Sequence, residues 1–358
     1  MSYTPRLEID LDKIYHNTRT LVQQLMSRGI SVTGVTKATL GSPGIANVLL
    51  RAGVSSLGDS RIKNIETMRH AHVPSSMTLI RSPMISEAGQ IVKYADISFN
   101  TEIEVIRKLS VEACKVGRTH EVLLMVELGD LREGIMPDDV MGVVRETLRQ
   151  PNIVFKGIGA NLACRSGVSP DVKNMAVLSE LVNSIEATFG LPIDLVSGGN
   201  SANITWALSG ADTGRINNLR LGEAILLGRE TLHRQPVSGL HTDAITLVAE
   251  VIESKVKPSK PSGDIAQAAF AAKRAVTDRG AITQTILAIG IQDIDPKGLQ
   301  AADGVTICGA SSDHLILESD GHHLPVGAEV TFQPNYSSLL RAMTSQFANE
   351  RGSHGSQQ

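Results

Sequence analysis

The chain has 358 residues, of which 42% are hydrophobic and 3% aromatic, so we expect an aliphatic core in two domains or in one large barrel with an appendage. The net charge is −3 and no long basic run occurs, which argues against nucleic acid or an anionic membrane surface as the main partner. Three scattered cysteines, no signal-peptide pattern and no membrane-spanning window together indicate a cytoplasmic protein.

The first 230 or so residues alternate short apolar runs with segments of helical periodicity. A helix is predicted at 11–26, and eight runs then predict strands at 31–41, 54–59, 77–81, 97–99, 121–128, 154–161, 193–197 and 219–227. This alternation predicts parallel strands joined by helices, as in a (β/α)8 TIM barrel, with a doubly wound open sheet as the alternative. No G-x-G-x-x-G motif follows the first strand, which favours the barrel.

The pattern changes after about residue 238. Further β-branched runs with turn signals between them predict a smaller all-β domain over 239–350. We therefore expect a barrel at 1–238, a β-domain at 239–350 and a disordered tail at 351–358, whose sequence is rich in Gly, Ser and Gln.

Lys37 ends the first predicted barrel strand. Catalytic residues of such barrels lie where the strands end, and a lysine among apolar neighbours can form a Schiff base. The alternative is a lysine whose ammonium reaches solvent past the strand end.

Other polar residues follow later barrel strands. Arg132 and Asn161 come after the fifth and sixth, and the glycine turn Ser197, Gly198, Gly199, Asn200, Ser201 comes after the seventh. A glycine turn leading into a helix favours a phosphate, although it is also an ordinary strand-to-helix turn. A lysine opposite a phosphate site indicates pyridoxal 5′-phosphate (PLP).

Arg220 lies within the last apolar strand and is followed by Gly222. A buried arginine needs a partner, which is either a structural carboxylate or the pyridine nitrogen of the cofactor. An arginine at that nitrogen leaves it unprotonated and weakens the electron sink, which suits limited proton exchange at Cα.

Several motifs in order resemble the PLP-dependent alanine racemase superfamily of fold type III, and most of all its alanine/ornithine racemase-like branch. They are Gly34-Val-Thr-Lys37, Val126-Glu-Leu-Gly-Asp-Leu-Arg132, Gly157-Ile-Gly-Ala-Asn-Leu162, Ser197-Gly-Gly-Asn-Ser201, Leu219-Arg-Leu-Gly222, Ala288-Ile-Gly-Ile-Gln-Asp293 and Gly309-Ala-Ser-Ser-Asp-His314. The resemblance covers nearly the whole chain. It implies a barrel plus a β-domain, paired head to tail in a homodimer so that each site receives residues from the partner.

The resemblance also implies roles for individual residues. Lys37 carries PLP, the Asn200–Ser201 region and Gly222 bind its phosphate, and Arg220 faces its pyridine nitrogen. Asn161 takes the place of the family's ring-stacking histidine, and Arg132 matches the arginine near the cofactor O3′ and the substrate carboxylate.

The sequence departs from the family at two tyrosines. The position of the phosphate-binding tyrosine corresponds to about Gly41, and the loop 263–273 lacks the tyrosine that serves as second base. Asp313, His314 and Cys308 in the β-domain are the candidates for that base, the alternative being a β-turn with a solvated Asp-His pair.

We therefore predict an amino-acid racemase of ornithine or another basic amino acid, with no metal. One alternative is a metal-assisted PLP aldolase or dehydratase, in which Asp313 and His314 form half of a metal site, while His322 and His323 are solvated. The other is a PLP carrier protein, which has a similar barrel but no β-domain.

Overall fold

The computed structural model describes residues 4–267, 277–319 and 324–353. The chain divides into two compact units, Lys13–Thr242 and a second unit that combines Met1–Asp12 with Asp243–Gln358. It begins with strand β1 (Arg6–Asp10), which belongs to the second unit. Within the described ranges, no helix combines the length and the apolar character needed to cross a bilayer.

The first unit is a closed barrel of eight parallel strands, which confirms the predicted (β/α)8 fold. Its strands are β2 (Ser31–Val35), β3 (Ser56–Asp59), β4 (Met77–Leu79), β5 (Ile97–Asn100), β6 (His120–Val126), β7 (Ile153–Ala160), β8 (Leu195–Ser197) and β9 (Asn218–Leu221). The barrel closes because β9 pairs with β2 in the register Thr33↔Arg220.

Helices alternate with these strands. They are α1 (Leu11–Met26), α2 (Pro43–Arg51), α3 (Ile62–His70), α4 (Ala88–Tyr94), α5 (Ile103–Lys115), α6 (Val140–Leu148), α7 (Val172–Phe189), α8 (Ile204–Leu208) and α9 (Glu223–Leu227). Their buried residues recur at helical spacing, as in α1, where Ile14, Leu21 and Leu25 are fully buried. Helix α1 thus buries one apolar stripe.

The apolar core inside the barrel includes a cluster of Ile97, Phe99, Leu123 and Met125, with Ile80 and Leu195 packed against it. The guanidinium of Arg220 lies 5.2 Å from the centre of the Phe99 ring. Phe99 therefore lies at the boundary between the apolar core and the polar side chains of the candidate site.

The second unit is built on a mostly antiparallel sheet. Its further elements are β10 (Ile245–Pro258), β11 (Ala281–Leu287), β12 (Leu299–Gln300), β13 (Val305–Ala310), β14 (Leu315–Ser319), β15 (Glu329–Pro334), α10 (Tyr336–Thr344) and β16 (Asn349–Ser353). The sheet order is β12-β15-β10-β11-β14-β13, with β1 beside β10 and β16 beside β1.

The observed elements differ from the sequence expectation in three places. Residues Glu223–Leu227 form a helix, which Gly228 ends in the left-handed conformation (φ 64°), rather than the end of a strand; four of the five are buried, so the sequence shows no helical period. β1 pairs antiparallel with β10 instead of belonging to the barrel. Residues 351–353, expected in the tail, pair with β1 through β16, and 354–358 lie outside the described residues.

Candidate active site

Lys37 lies at the mouth of the barrel, two residues beyond the end of β2. It opens a short 3-10 turn, Lys37–Thr39, and its residue is half-buried. The preceding residue, Thr36, is fully buried and donates its hydroxyl hydrogen to Asp59 Oδ2 at 2.7 Å. Its backbone N–H also bonds to the Gly58 carbonyl at 2.9 Å. The end of β3 thereby fixes the start of the turn that carries Lys37.

Asp59, which sequence reasoning did not select, is a fully buried carboxylate. It also accepts from Arg61 N–H at 2.9 Å and from Asn64 Nδ2 at 3.0 Å. Burial raises its pKa, and the hydrogen bond from Thr36 is the largest opposing effect. A single aspartate after a strand resembles an ordinary helix cap in sequence, so no pattern marks it.

Gly41 completes the turn and leaves no room for the family's tyrosine. Its φ is +68°, and a Cβ built on it would lie 2.7 Å from the Asn64 carbonyl oxygen. Any side chain at 41 therefore requires α3 or the turn itself to move. This departure from the alanine racemase pattern is built into the local backbone.

Arg220 is the buried cation of the site, with 5% of its surface exposed. Its Nη1 donates to Ser197 Oγ at 2.6 Å, and its Nη2 donates to the Ala160 carbonyl at 2.9 Å and to Asn161 Oδ1 at 3.2 Å. All these acceptors are neutral oxygens. Burial accordingly lowers the Arg220 pKa to about 10, which still leaves it protonated at neutral pH.

Ser197 is drawn into the barrel interior rather than to the surface of the glycine turn. It is fully buried, accepts from Arg220 and donates its hydroxyl hydrogen to Asn218 Oδ1 at 2.8 Å. The sequence suggested a hydroxyl donor for phosphate at this position. In the structure the hydroxyl hydrogen of Ser197 goes to Asn218 and its oxygen accepts from Arg220.

The glycine turn that follows β8 has no side chains at Gly198 and Gly199 to cover its backbone. A Cβ at Gly198 would lie 2.6 Å from Ile216 Cγ2, and one at Gly199 (φ +151°) would lie far inside contact distance of Asn203. Asn200 caps the next turn by accepting from Ala202 N–H at 2.7 Å. Only glycine fits the two positions that bring the backbone to the mouth of the barrel.

Asn161 connects this turn with Arg220. Its Oδ1 accepts from Asn200 Nδ2 at 3.0 Å and from Arg220, while its buried Nδ2 has no hydrogen-bond partner in the part of the chain that the structure describes. A buried donor left unpaired is costly, so the position favours an external acceptor. Sequence analysis placed Asn161, Asn200 and Arg220 in one site, and the structure brings them together.

Gly222 and α9 lie on the other side of the glycine turn that follows β8. A Cβ at Gly222 would lie 3.1 Å from Val35 Cβ, so β9 packs closely on the end of β2. Ser201 Oγ accepts from Ala224 N–H at 3.2 Å, which links the 3-10 turn after β8 to α9.

Glu223 is a further group that sequence analysis missed. Burial raises its pKa, and the positive charges of Arg234 and Lys37 oppose that rise. Its Oε1 accepts from Arg234 Nη1 at 2.6 Å. A carboxylate thus lies within electrostatic range of Lys37.

Arg132 lies on the loop after β6, exposed and paired with the carboxylate of the adjacent Glu133. Burial lowers its pKa, but Glu133 and the nearby Cys164 outweigh this and raise it overall. Burial has the largest effect on the Arg220 pKa, Cys164 has the next largest, and the positive charge of Arg132 comes third. The two arginines and Cys164 therefore share one electrostatic environment.

The β-domain candidates fall into two groups. Asp313 Oδ1 lies 3.0 Å from His314 Nδ1 in an exposed turn, whereas Cys308 Sγ lies 3.8 Å from the carboxylate of Glu318 in the sheet. A bond from Ser312, and then His314, holds the Asp313 pKa low, and burial raises that of Cys308. The structure does not join Cys308 to the Asp313–His314 pair. Part of the 263–273 loop, and His322 and His323, lie outside the described residues.

Among the residues that the structure describes, no group of three or more His, Cys, Asp or Glu side chains is placed to hold a metal ion.

The chain is similar in sequence to a known protein family. A family model described as the alanine racemase N-terminal domain matches residues 9–230. The chain is 38% identical over 348 residues to a lysine racemase of Thermotoga maritima, covering 97% of this chain and 98% of that protein. It is 37% identical over 348 residues to an ornithine racemase of Acetoanaerobium sticklandii, covering 96% and 98%.

Solved structures show the same fold. Alanine racemase from Streptomyces lavendulae superposes with a TM-score of 0.75 at 16% identity, covering 99% of this chain and 98% of that one. D-Threonine aldolase from Filomicrobium marinum gives a TM-score of 0.75 at 18% identity, covering 95% and 89%. With a barrel that carries Lys37 at its mouth, a matching family model and two full-length racemase relatives, this chain belongs to the alanine racemase family.

Proposed function

We propose that the protein is a PLP-dependent racemase of a basic amino acid, lysine or ornithine. The observation that carries this proposal is the near-full-length identity of 38% and 37% to a lysine racemase and an ornithine racemase. The barrel mouth supports it, because Lys37, Arg220 and the glycine turn are the residues that such a reaction needs in one place.

The site fits PLP by its donor set. Lys37 would hold the aldehyde carbon, the Gly198-Gly199-Asn200-Ser201 turn and Gly222 would hold the phosphate, and Arg220 would face the pyridine nitrogen. The unpartnered Asn161 Nδ2 offers a buried donor beside that guanidinium. When bound, PLP would supply an electron sink that acidifies the Cα hydrogen of an amino acid.

The chain's own residues would then bind the substrate and move one proton. Arg132 would bind the substrate carboxylate through its planar guanidinium, exchanging its present partner Glu133 for it. Lys37 Nζ would accept the Cα proton on one face. Arg220 keeps its own proton, since its pKa of about 10 lies well above neutral pH.

The acid for the other face would come from the second unit of a partner subunit. The 263–273 loop has no tyrosine, so we propose the exposed Asp313–His314 pair for this role. A carboxylate there would also attract the cationic side chain of lysine or ornithine.

An exposed apolar rim at the barrel mouth supports a head-to-tail homodimer. Five large apolar side chains on the loops after β2, β4 and β6 are 39% to 60% exposed: Leu40, Met84, Ile85, Leu131 and Met136. An apolar rim around a polar site is typical of a surface that another chain covers. The three free cysteines, all exposed, further support a reducing compartment such as the cytoplasm.

The proposal is tested by incubating the PLP-loaded protein with L-lysine, L-ornithine, L-alanine and L-serine, with and without a chelator, followed by chiral chromatography. We expect D-lysine or D-ornithine, formed faster than D-alanine or D-serine and insensitive to the chelator. Keto acid or aldehyde would instead indicate a lyase, and no product at all would indicate a PLP carrier.

A further inference from the structure

The carboxylate of Asp130 lies in a nest of backbone N–H groups that belong to another loop. Asp130 follows β6 and is fully buried, and within the described residues its carboxylate oxygens accept from the loop after β7. Oδ2 accepts from Cys164 N–H at 3.0 Å and Arg165 N–H at 2.9 Å. Oδ1 accepts from Ser166 N–H at 3.1 Å and Val168 N–H at 3.3 Å.

These four bonds account for a buried charge that, among the residues the structure describes, has no cationic side chain in hydrogen-bond contact. Burial is the largest influence and would raise the Asp130 pKa, but the N–H groups together lower it below its ordinary value. The ionised carboxylate therefore ties the loop after β6 to the loop after β7. Ser166 Oγ adds a bond to the Asp130 carbonyl at 2.8 Å.

The residue between Asp130 and Arg132 is held in a strained conformation. Leu131 has φ +55°, a left-handed conformation that is unfavourable for a residue with a side chain. Its N–H bonds to Glu127 Oε1 at 3.0 Å, and its carbonyl accepts from Arg165 Nη1 at 2.5 Å. Surrounding contacts thus impose on Leu131 the turn that presents Arg132.

Both linked loops carry groups of the proposed site, Arg132 on the loop after β6 and Asn161 at the start of the loop after β7. We propose that Asp130 is a positioning residue that fixes Arg132 at the place where the substrate carboxylate binds. This inference rests on the proposed function for the identity of the ligand, but the link between the loops does not.

The test is Asp130→Asn in the PLP-loaded protein. Asparagine has the same size, but its NH2 would face two of the four N–H donors, so one pair of bonds is lost. We expect KM for L-lysine or L-ornithine to rise about tenfold or more, with kcat changed less than about threefold. Hydrogen exchange of the 129–134 and 164–168 amides, measured without substrate, should speed up by at least about tenfold.

The double variant Asp130→Asn with Arg132→Lys separates positioning from a general structural role. If Asp130 acts through Arg132, the double variant loses no more in kcat/KM than Arg132→Lys alone. Additive losses, an unchanged KM, or unchanged amide exchange would each overturn the proposal.

A matched control is Asp212→Asn. Asp212 is exposed and its Oδ1 accepts from Gly214 N–H at 2.9 Å in a turn before β9, so KM and the exchange of both loops should stay at wild-type values. If the wild type racemises neither lysine nor ornithine, the proposed function fails. The exchange measurement then decides the loop link alone, and faster exchange in both loops supports it.

Discussion

Thr36 donates its hydroxyl hydrogen to Asp59 Oδ2 at 2.7 Å, one residue before Lys37. Both residues are buried, and Asp59 in turn accepts from the first residues of the α3 region through Arg61 and Asn64. The position of Lys37 is thus set by a polar contact between β2 and β3 as well as by the barrel strand itself.

Removing this hydrogen bond with Thr36→Val should lower the free energy of unfolding by about 1–3 kcal/mol, because an isosteric apolar group leaves a buried carboxylate with one donor fewer. Urea denaturation at neutral pH measures this change in the free energy of unfolding. Thr67→Val is the matched control, since the exposed Thr67 hydroxyl bonds only to the Lys63 carbonyl of its own helix, and we expect a change within about 0.5 kcal/mol. Equal effects in both variants would contradict a special role for the Thr36–Asp59 contact.

Gly41→Ala should destabilise the turn after Lys37 by about 1–3 kcal/mol, because φ is positive and the new Cβ meets the Asn64 backbone. Gly44→Ala is the paired control, as its Cβ would meet only Ser42 Oγ at 3.9 Å within α2. That substitution should be neutral or stabilising by up to about 1 kcal/mol. A neutral Gly41→Ala would show that the turn can relax to accept a side chain.

Arg220→Lys should reduce racemisation by at least about tenfold, because a single ammonium cannot replace a fork that reaches Ser197, Ala160 and Asn161 at once. Chiral chromatography under substrate saturation measures the loss, and the circular dichroism spectrum should remain that of the wild type. Activity near the wild-type level would show that a point charge suffices there.

His120 predicts a pH dependence of stability. It is 1% exposed, lies 2.8 Å from Ser98 Oγ, and burial lowers its pKa from 6.5 to about 4. Between those values the unfolded chain binds the proton and the folded chain does not, so stability falls as pH drops from 6.5 towards 4. The full effect is about 3 kcal/mol.

Urea denaturation at several pH values between 4.5 and 7.5 checks this. His120→Gln should lose stability less steeply than the wild type as the pH falls, whereas His233→Gln, at an exposed position, should follow the wild type. Parallel curves for the wild type and His120→Gln would contradict the assignment.

The fold could be predicted from the sequence because short apolar runs alternate regularly with segments of helical periodicity. The run at 223–227 was wrongly predicted as the end of a strand, since five residues, four of them buried, are too few to show a helical period. Residues 6–10 fell within the domain range 1–238 predicted for the barrel, because β10, the partner of β1, lies more than 200 residues later in the chain.

Part of the candidate site could be predicted from the sequence. Lys37, Asn161, Asn200 and Arg220 stood out because polar residues at strand ends of a barrel are informative. Asp59, Asp130 and Glu223 were missed, because each matters through its backbone or side-chain neighbours, and those neighbours are distant in sequence or ordinary in type. Ser197 was found, but its bond to Arg220 follows from strand register and not from spacing.

The central claim is that Lys37 holds PLP and moves the Cα proton of a basic amino acid. The most direct measurement is borohydride reduction of the PLP-loaded protein, followed by peptide mass spectrometry and by racemisation assays of Lys37→Ala with L-lysine and L-ornithine. We predict a pyridoxyl group on the peptide that contains Lys37, and no D-enantiomer from the variant. A reduced cofactor on a different lysine, or D-lysine or D-ornithine formed by Lys37→Ala, would contradict the account.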